Sequence, residues 1–87
     1  MSEKILTVEF VTPEKRVWSG KASMVSARTL DGDLGILPDH APLLGVLVDG
    51  TVTIKGVDGS SEEFTVSGGF LSVANNRVSV LGESATN

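Results

Sequence analysis

Apolar and polar residues alternate along much of this chain, and that two-residue period restricts its fold more than any other feature. In the first such stretch, Leu6, Val8 and Phe10 fall on one face of an extended strand, while Thr7 and Glu9 fall on the other. No window of useful length carries apolar residues at the spacing of a helix face. The chain is therefore predicted to be all-β.

The second half of the chain repeats the alternation, and tight-turn dipeptides separate its apolar runs. The dipeptides Asp49-Gly50, Asp58-Gly59 and Asn75-Asn76 tolerate the positive φ angles that two-residue hairpin turns require. Short strands separated by such turns are typical of an antiparallel sandwich or barrel, and we expect two stacked sheets. The residues predicted to face the core in this half are Val52, Ile54, Phe64, Val66, Leu71, Val73, Val78 and Val80.

The first half contains less regular segments. Residues 22–27 are small or mildly apolar on both faces, so their inward side is not evident from the alternation. Residues 17–18 are predicted to form a short edge strand between Pro13 and Gly20. We expect Trp18 either to cap an open end of the sandwich, with its indole N–H bonded to a carbonyl or water, or to contact a partner.

Length and composition narrow the class of protein. The 87 residues are predicted to form one domain, residues 1–87, without an internal boundary or repeat. A net charge of −4 disfavours nucleic-acid binding, and the absence of cysteine excludes disulfides and thiolate metal sites. The sequence has neither a signal-peptide pattern nor an apolar run of about 20 residues, so we expect a soluble protein without membrane insertion.

Residues 31–45 hold three of the ten glycines, two of the three prolines and the only histidine. A zinc site is disfavoured because His40 has neither a second histidine nor a cysteine to join it. An EF-hand loop beginning at Asp31 would have Pro42 where its bidentate glutamate belongs. A phosphate-binding loop is disfavoured because the glycines precede no predicted helix. Nucleophilic catalysis is disfavoured because no strand-turn-helix elbow is predicted that would present a serine to His40. We therefore predict no catalytic residue, no metal ligand and no cofactor.

The remaining interpretation is that residues 31–45 act through the shape of their backbone. Gly32 and Gly35 permit φ values that other residues avoid, whereas Pro38 and Pro42 fix φ. The segment is therefore predicted to be a stiff, irregular loop that forms a preorganised, negatively charged surface.

Two motifs in register resemble those of a known family. Residues 32–44, GDLGILPDHAPLL, closely resemble the glycine-isoleucine-x-proline-x-histidine-x-proline signature of the epsilon subunit of F-type ATP synthases, bacterial type. Residues 67–73, SGGFLSV, resemble the second hallmark of that family, and residues 75–81 follow where the family has a hairpin and a closing strand. The likeness spans residues 4–85.

This resemblance implies a flattened antiparallel β-sandwich of about ten short strands in two sheets. Many members of the family continue into a C-terminal two-helix hairpin that restrains hydrolysis or binds ATP. Residues 81–87 lie where that hairpin would begin, so we expect no helical hairpin in this chain and ascribe neither property to it.

The resemblance also implies a function. The chain would belong to the central stalk of the rotor, bound to the gamma subunit and resting on the c-ring at the cytoplasmic face of the cell membrane. It would transmit proton-driven rotation of the ring for ATP synthesis, without catalytic residues or a cofactor of its own.

The family's contact surfaces map onto the two glycine-rich segments. In the family, the polar loops of the c-ring usually carry an arginine, whose positive charge would complement Asp31 and Asp33. For His40, an equally weighted alternative to contact with gamma is that its ring bonds a loop carbonyl and holds the corner of its own loop. The residues expected to face the c-ring are Asp31, Gly32, Asp33 and Leu34; those expected to face gamma are His40, Ala41, Pro42 and Leu43; structural turns are expected at Gly35, Pro38, Gly68 and Gly69.

Two other functions stay open from the sequence. A free-standing β-sandwich that binds a ligand such as a sugar would need an aromatic platform, and the aromatic residues are Phe10, Trp18, Phe64 and Phe70. A small enzyme would depend on His40, and replacing it by alanine would then abolish turnover.

Overall fold

The computed structural model describes residues 4–86, and these residues form seven β-strands and no helix. The all-β prediction is confirmed. Within residues 4–86 there is accordingly no helix with the length and apolar character needed to cross a bilayer. The strands are β1 (Leu6–Val11), β2 (Arg16–Thr29), β3 (Gly32–Ile36), β4 (Leu43–Gly56), β5 (Ser61–Ala74), β6 (Arg77–Gly82) and β7 (Ala85–Thr86).

The strands form a single sheet that closes on itself. Neighbours run in the order β1-β6-β5-β4-β2, and β2 pairs again with β1 to complete the ring. β3 pairs with residues 25–29 of β2, and β7 pairs with residues 65–66 of β5. The resulting body is flattened, with extents of 38 × 24 × 19 Å. It is a β-sandwich whose two layers are continuous at their edges.

The strand count and the pairing differ from the expectation of about ten short antiparallel strands. β2, β4 and β5 each run for 14 residues, so each takes part in both layers. Dividing each of them at its bend would yield ten short strands. β1 and β6 pair in parallel, whereas the other pairs are antiparallel. Residues 81–82 belong to β6 and residues 85–86 to β7, while residue 87 lies outside the described residues.

β4 and β5 change their inward face part-way along their length. In β4, Leu47 points into the core on an odd-numbered position and Val52 on an even-numbered one. In β5, Val66 points inward on an even-numbered position and Leu71 on an odd-numbered one. The register between the two strands stays constant through this region, so both strands turn together from one layer into the other.

The turn from layer to layer depends on Gly68 and Gly69. Their φ angles are +95° and +133°, a region that residues with a side chain rarely occupy. A Cβ atom on Gly69 would also overlap the carbonyl oxygen of Leu81 on β6. Gly68 and Gly69 therefore lie within a bent strand rather than in a loop, and Gly69 has no room for a side chain.

β2 changes its inward face by a β-bulge. Ala22 pairs with Gly56 and Met24 with Lys55, so one extra residue stands on β2 between the two pairs. Both Ala22 and Val25 are consequently buried although they stand on positions of opposite parity. This bulge explains why the sequence alternation in residues 22–27 is indistinct.

The predicted inward-facing residues form the core. Every one of them is buried, in β1 as well as in the second half of the chain. Phe10 and Phe64 meet edge to face at the centre, with ring centroids 5.2 Å apart and an interplanar angle of 77°. The structure adds Ala22, Val25, Ala27, Ile36 and Leu47 to the core.

Two of the three predicted hairpin turns are confirmed. Asn75-Asn76 joins β5 to β6 with φ angles of +52° and +61°, and Asp58-Gly59 lies in the β4–β5 turn. The turn at Asp49-Gly50 is wrong, because both residues lie inside β4, opposite Ser67 and Val66. Local turn propensity is overridden there by continuous pairing along the 14-residue hairpin.

Trp18 lies partly buried at the side of the core. It stands in the 14-residue strand β2 rather than in a short strand, opposite Phe10, and it packs against the core. Its ring lies over Gly20, and its indole N–H donates a hydrogen bond of 2.6 Å to the Glu62 carboxylate. The indole N–H is satisfied within the chain, but its acceptor is a carboxylate instead of the expected carbonyl or water.

Candidate interaction surface

The residues predicted to face the c-ring occupy the β2–β3 hairpin. Asp31 lies in the two-residue turn, and residues 32–34 belong to β3, so this part is regular hairpin rather than irregular loop. The Thr29 hydroxyl accepts a hydrogen bond from the Asp31 N–H (3.1 Å) and donates one to the Gly32 carbonyl (3.0 Å). Gly32 has a φ of +111°, which completes the turn. We call residues 30–33 the hairpin tip.

The two aspartates of the hairpin tip have different surroundings. Asp33 pairs across the hairpin with Arg28, whose Nε lies 3.1 Å from Oδ1 of the carboxylate. Among residues 4–86, Asp31 forms no ion pair, and it is exposed. The tip therefore offers one aspartate with an internal cation and one without.

The residues predicted to face gamma lie between β3 and β4. Pro38 and Asp39 form the centre of a β-turn closed by a hydrogen bond from the His40 N–H to the Leu37 carbonyl (3.2 Å). Ala41 and Pro42 are exposed, and Leu43 begins β4 and packs against the core. Gly35, by contrast, lies within β3 rather than in a turn.

Asp39 holds this loop against the β5–β6 hairpin. Its φ is +69°, uncommon for a residue with a side chain, and its N–H donates a 2.6 Å hydrogen bond to the Asn76 side-chain oxygen. Its carboxylate lies 2.8 Å from the Lys4 ammonium and accepts a further bond from Asn76. The hydrogen bond from Lys4 is the main cause that lowers the pKa of Asp39, followed by that from Asn76. Distance along the chain hid this cluster from sequence inspection.

His40 contacts a neighbouring carbonyl instead of a catalytic partner. Its Nδ1 lies 2.7 Å from the carbonyl oxygen of Ala41, and within residues 4–86 its ring has no other hydrogen-bond partner. In the same part of the chain, no group of three or more acidic, histidine or cysteine side chains is placed to hold a metal ion. This contact matches the corner-holding role expected as one alternative for His40.

An exposed apolar face lies on the outer side of β4, β5 and β6, and sequence reasoning missed it. Val46, Phe70 and Leu81 stand directly opposite one another on these three strands. Their exposed fractions are 41%, 52% and 54%, and Leu44, two residues from Val46 on the same side of β4, is 73% exposed. We call these four residues the apolar face.

A groove of about 480 Å³ adjoins the apolar face. Its lining combines three glycines with mostly apolar side chains and one carboxylate, that of Glu83. The residues that line it are Thr12, Pro13, Val46, Leu47, Gly68, Gly69, Phe70, Leu81, Gly82 and Glu83.

A weak signal in the sequence indicated the apolar face. Phe70 and Leu71 are adjacent, as are Val80 and Leu81, so each pair places an apolar residue on both sides of its strand. The alternation identified the inward member of each pair, and the outward member had no stated role. Only the pairing of the strands shows that the outward members are neighbours.

Comparison with known proteins identifies the family. Residues 5–87 match the model of the ATP synthase delta/epsilon chain β-sandwich domain. The chain is 52% identical over 81 residues to the ATP synthase epsilon chain of Corynebacterium diphtheriae, which covers 92% of this chain and 66% of that protein. It is 51% identical over 80 residues to the ATP synthase epsilon chain of Streptomyces avermitilis, and the alignment covers 92% of this chain and 64% of that protein. The chain thus spans slightly less than two thirds of the length of these relatives.

Two solved structures share the fold. One is a chain of the mitochondrial ATP synthase of Euglena gracilis (OSCP/F1/c-ring), with a TM-score of 0.90, 19% identity, and 97% of this chain and 54% of that chain covered. The other comes from the central stalk and c-ring of the Tetrahymena thermophila mitochondrial ATP synthase, with a TM-score of 0.79, 24% identity, and 98% and 67% covered. With the family-model match over residues 5–87, these findings confirm the resemblance drawn from the two motifs: the chain belongs to the family of the ATP synthase delta/epsilon chain β-sandwich domain.

Proposed function

We propose that this chain is a central-stalk subunit of a bacterial F-type ATP synthase that joins the gamma subunit to the c-ring. Rotation of the ring, driven by protons, would pass through this joint and support ATP synthesis in the catalytic head. The proposal draws on the family and on the names of the bacterial relatives. The subunit would be peripheral, at the cytoplasmic face of the cell membrane.

The observation that carries the proposal is the apolar face. Three large apolar side chains in adjacent register, all more than two fifths exposed, form a contiguous patch of the kind that marks protein–protein contacts. Full burial of one such side chain contributes about 1.5–3 kcal/mol, and exposed aromatic residues are frequent anchors of interfaces. We assign this face, with Phe70 at its centre, to gamma.

The loop at residues 40–43 extends the gamma-facing surface. Ala41 and Pro42 are exposed, and the chain then enters β4, where Leu44 and Val46 belong to the apolar face. His40 and Leu43 hold the loop in place through a carbonyl contact and the core, respectively. Within the proposed gamma-facing segment, His40, Ala41, Pro42 and Leu43, this arrangement supports a direct contact for Ala41 and Pro42 and a positioning role for His40 and Leu43.

The hairpin tip is assigned to the polar loops of the c-ring. It carries exposed Asp31 next to Leu30, which is 70% exposed. The Leu30 N–H donates a hydrogen bond of 3.0 Å to the Val46 carbonyl, so the tip is tied to the strand that carries the apolar face. One rigid body thus presents a polar contact and an apolar contact, as a joint between two partners requires.

The fold suits a part that transmits torque. β2, β4 and β5 run unbroken from layer to layer, and the sheet closes through β1 and β6. A displacement at the hairpin tip would therefore reach the apolar face through backbone hydrogen bonds. We propose that residues 1–87 act as one unit in this role.

The two other functions considered from the sequence receive no support from the geometry. Phe10 and Phe64 are buried, Trp18 is bonded to Glu62, and Phe70 is left as the exposed aromatic residue, so no aromatic platform for a sugar is formed. Among residues 4–86, the hydrogen-bond partner of the His40 ring is the Ala41 carbonyl, which does not support a role in proton transfer.

Binding to gamma tests the proposal. We expect the chain to form a stable complex with the gamma subunit of the same organism, and Phe70→Ala to weaken it at least about 30-fold, as loss of an aromatic anchor does. Val57→Ala is the matched control, because Val57 is 55% exposed but lies in the β4–β5 turn. Titration calorimetry measures both variants. No association of the folded wild-type chain with folded gamma at micromolar concentration would refute the proposal.

Reconstitution then tests the coupling role. Membranes holding the ATP synthase without this subunit should recover proton-driven ATP synthesis when the wild-type chain is added. The Phe70→Ala chain should restore synthesis only at higher concentration. Undiminished synthesis in its absence would show that the chain is not the joint.

A further inference from the structure

We propose that the groove beside the apolar face accepts one apolar side chain of gamma that is flanked by a lysine or arginine, and that Glu83 binds this cation. The inference rests on the proposed function and specifies the chemistry of the partner segment. It assigns Glu83 a role in partner selection.

The groove is formed in advance of any partner. Its lining includes Gly69 and Gly82, which pair with each other across β5 and β6. Gly69 has no space for a side chain, because a Cβ there would overlap the backbone of Leu81 and Gly82. The Glu83 N–H donates a hydrogen bond of 3.1 Å to the Gly68 carbonyl, which holds the rim. Binding therefore needs little reorganisation of this chain.

The charge at the groove is one-sided. Among the described residues that line it, Glu83 is the single ionisable one, and its carboxylate oxygen lies 3.6 Å from where a Cβ of Gly68 would stand. Within residues 4–86, no cation is paired with Glu83. An apolar partner that covered the groove would desolvate this carboxylate, which is costly unless a cation comes with it.

The same charge disfavours other occupants. A second copy of this chain would bring two Glu83 carboxylates and two bodies of net charge −4 together. An anionic lipid surface would be repelled for the same reason. A protein segment that combines an apolar side chain with a neighbouring cation satisfies both features of the groove.

Charge variants test the inference. We expect Glu83→Gln to weaken binding to the gamma subunit about tenfold at low salt and to flatten its salt dependence, and Glu83→Lys to weaken it further. Glu63→Gln is the matched control, since it makes the same change in net charge at an exposed position of β5 that does not line the groove. The control should bind within about twofold of wild type. Dissociation constants come from titration calorimetry at several salt concentrations, and thermal melts verify that each variant is folded.

The outcomes separate this inference from the proposed function. If Phe70→Ala weakens binding but Glu83→Gln and Glu83→Lys do not, the apolar face is the gamma contact and the role of Glu83 is refuted. If Glu83→Gln and Glu63→Gln weaken binding equally, overall charge explains the effect and the inference is likewise wrong. If the chain dimerises in sedimentation equilibrium and Glu83→Gln strengthens the dimer, the occupant is a second copy. Failure of the wild-type chain to bind gamma would instead refute the proposed function.

Discussion

The hairpin tip and the apolar face are built in opposite ways. The turn of the hairpin tip is a local structure, since the side chain of Thr29 and the backbone of Asp31 and Gly32 make its hydrogen bonds within four residues of one another. The apolar face joins Val46, Phe70 and Leu81, which are far apart in sequence and meet only because β4, β5 and β6 pair. The difference teaches that a polar contact can be supplied by one turn, whereas a contiguous apolar contact needs the assembled sheet.

The largest expected effect compares a glycine of each region. Gly69 under the apolar face and Gly32 in the hairpin tip both have a positive φ, but a Cβ at Gly69 would strike backbone while one at Gly32 would meet nothing within 4 Å. We expect Gly69→Ala to lower the free energy of unfolding by at least about 3 kcal/mol, because steric overlap adds to backbone strain. Gly32→Ala should cost about 1–2 kcal/mol from strain alone. Urea unfolding followed by circular dichroism measures both. Equal costs would show that the sheet relaxes at Gly69.

A second prediction separates the two sides of β5. Leu71 is fully buried and Phe70 is 52% exposed, although they are adjacent in sequence. Leu71→Ala should lower the free energy of unfolding by about 2–5 kcal/mol, since it leaves a cavity in the core. Phe70→Ala should change stability by less than about 1 kcal/mol while it weakens binding to gamma. Thermal and urea unfolding of both variants provide the comparison. A large loss of stability in Phe70→Ala would mean that this side chain serves the fold rather than a partner.

The smallest expected effect concerns the loop that links the two regions. The hydrogen bonds of Lys4 and Asn76 to Asp39 place the pKa of this carboxyl below its ordinary value of 3.8 in the folded state. A lowered folded pKa stabilises the fold above the ordinary value, and this stabilisation is lost as pH falls through the folded pKa. The difference in stability between wild type and Asp39→Asn should therefore be constant from neutral pH to about pH 5 and shrink below about pH 4.

Unfolding curves at a series of pH values measure this difference. Asparagine also tolerates the positive φ of residue 39, so the variant changes charge with little backbone strain. Lys4→Met is the control, because it removes one donor to the Asp39 carboxylate and leaves that of Asn76. The pH-dependent difference between Asp39 and Asp39→Asn, measured with Lys4→Met in both proteins, should be smaller than in wild type without vanishing. A difference that stays the same down to pH 2 would contradict the assigned contacts.

Much of the core was predictable from the sequence because the alternation in β1, β5 and β6 is clean. Leu6, Val8 and Phe10 illustrate this, since each points inward as the two-residue period requires. Asp49-Gly50 shows the limit, because a favourable turn dipeptide became part of an unbroken pairing with β5. Local preference is worth about 1 kcal/mol, less than the ladder of backbone pairs that a turn at this point would interrupt.

The candidate site was predicted only in part, for the same reason. The segment from residue 31 to residue 45 was singled out by its glycines, prolines and histidine, and it supplies the hairpin tip and the loop before β4. The internal pairing of Asp33 with Arg28 was not evident, because it depends on the register of β2 and β3. The salt bridge between Lys4 and Asp39 joins residues far apart in the chain and was equally hidden.

By itself, the sequence determined the all-β class, the inward residues of the regular strands and, through two motifs, the family. These depend on the period of a single strand or on a contiguous run of residues, which the chain carries in its order. The tertiary structure decided where β2, β4 and β5 change layers, which aspartate of the hairpin tip has an internal cation, and that Phe70 lies beside Val46 and Leu81. Those features arise from contacts between distant residues, and such contacts exist only once the sheet has closed.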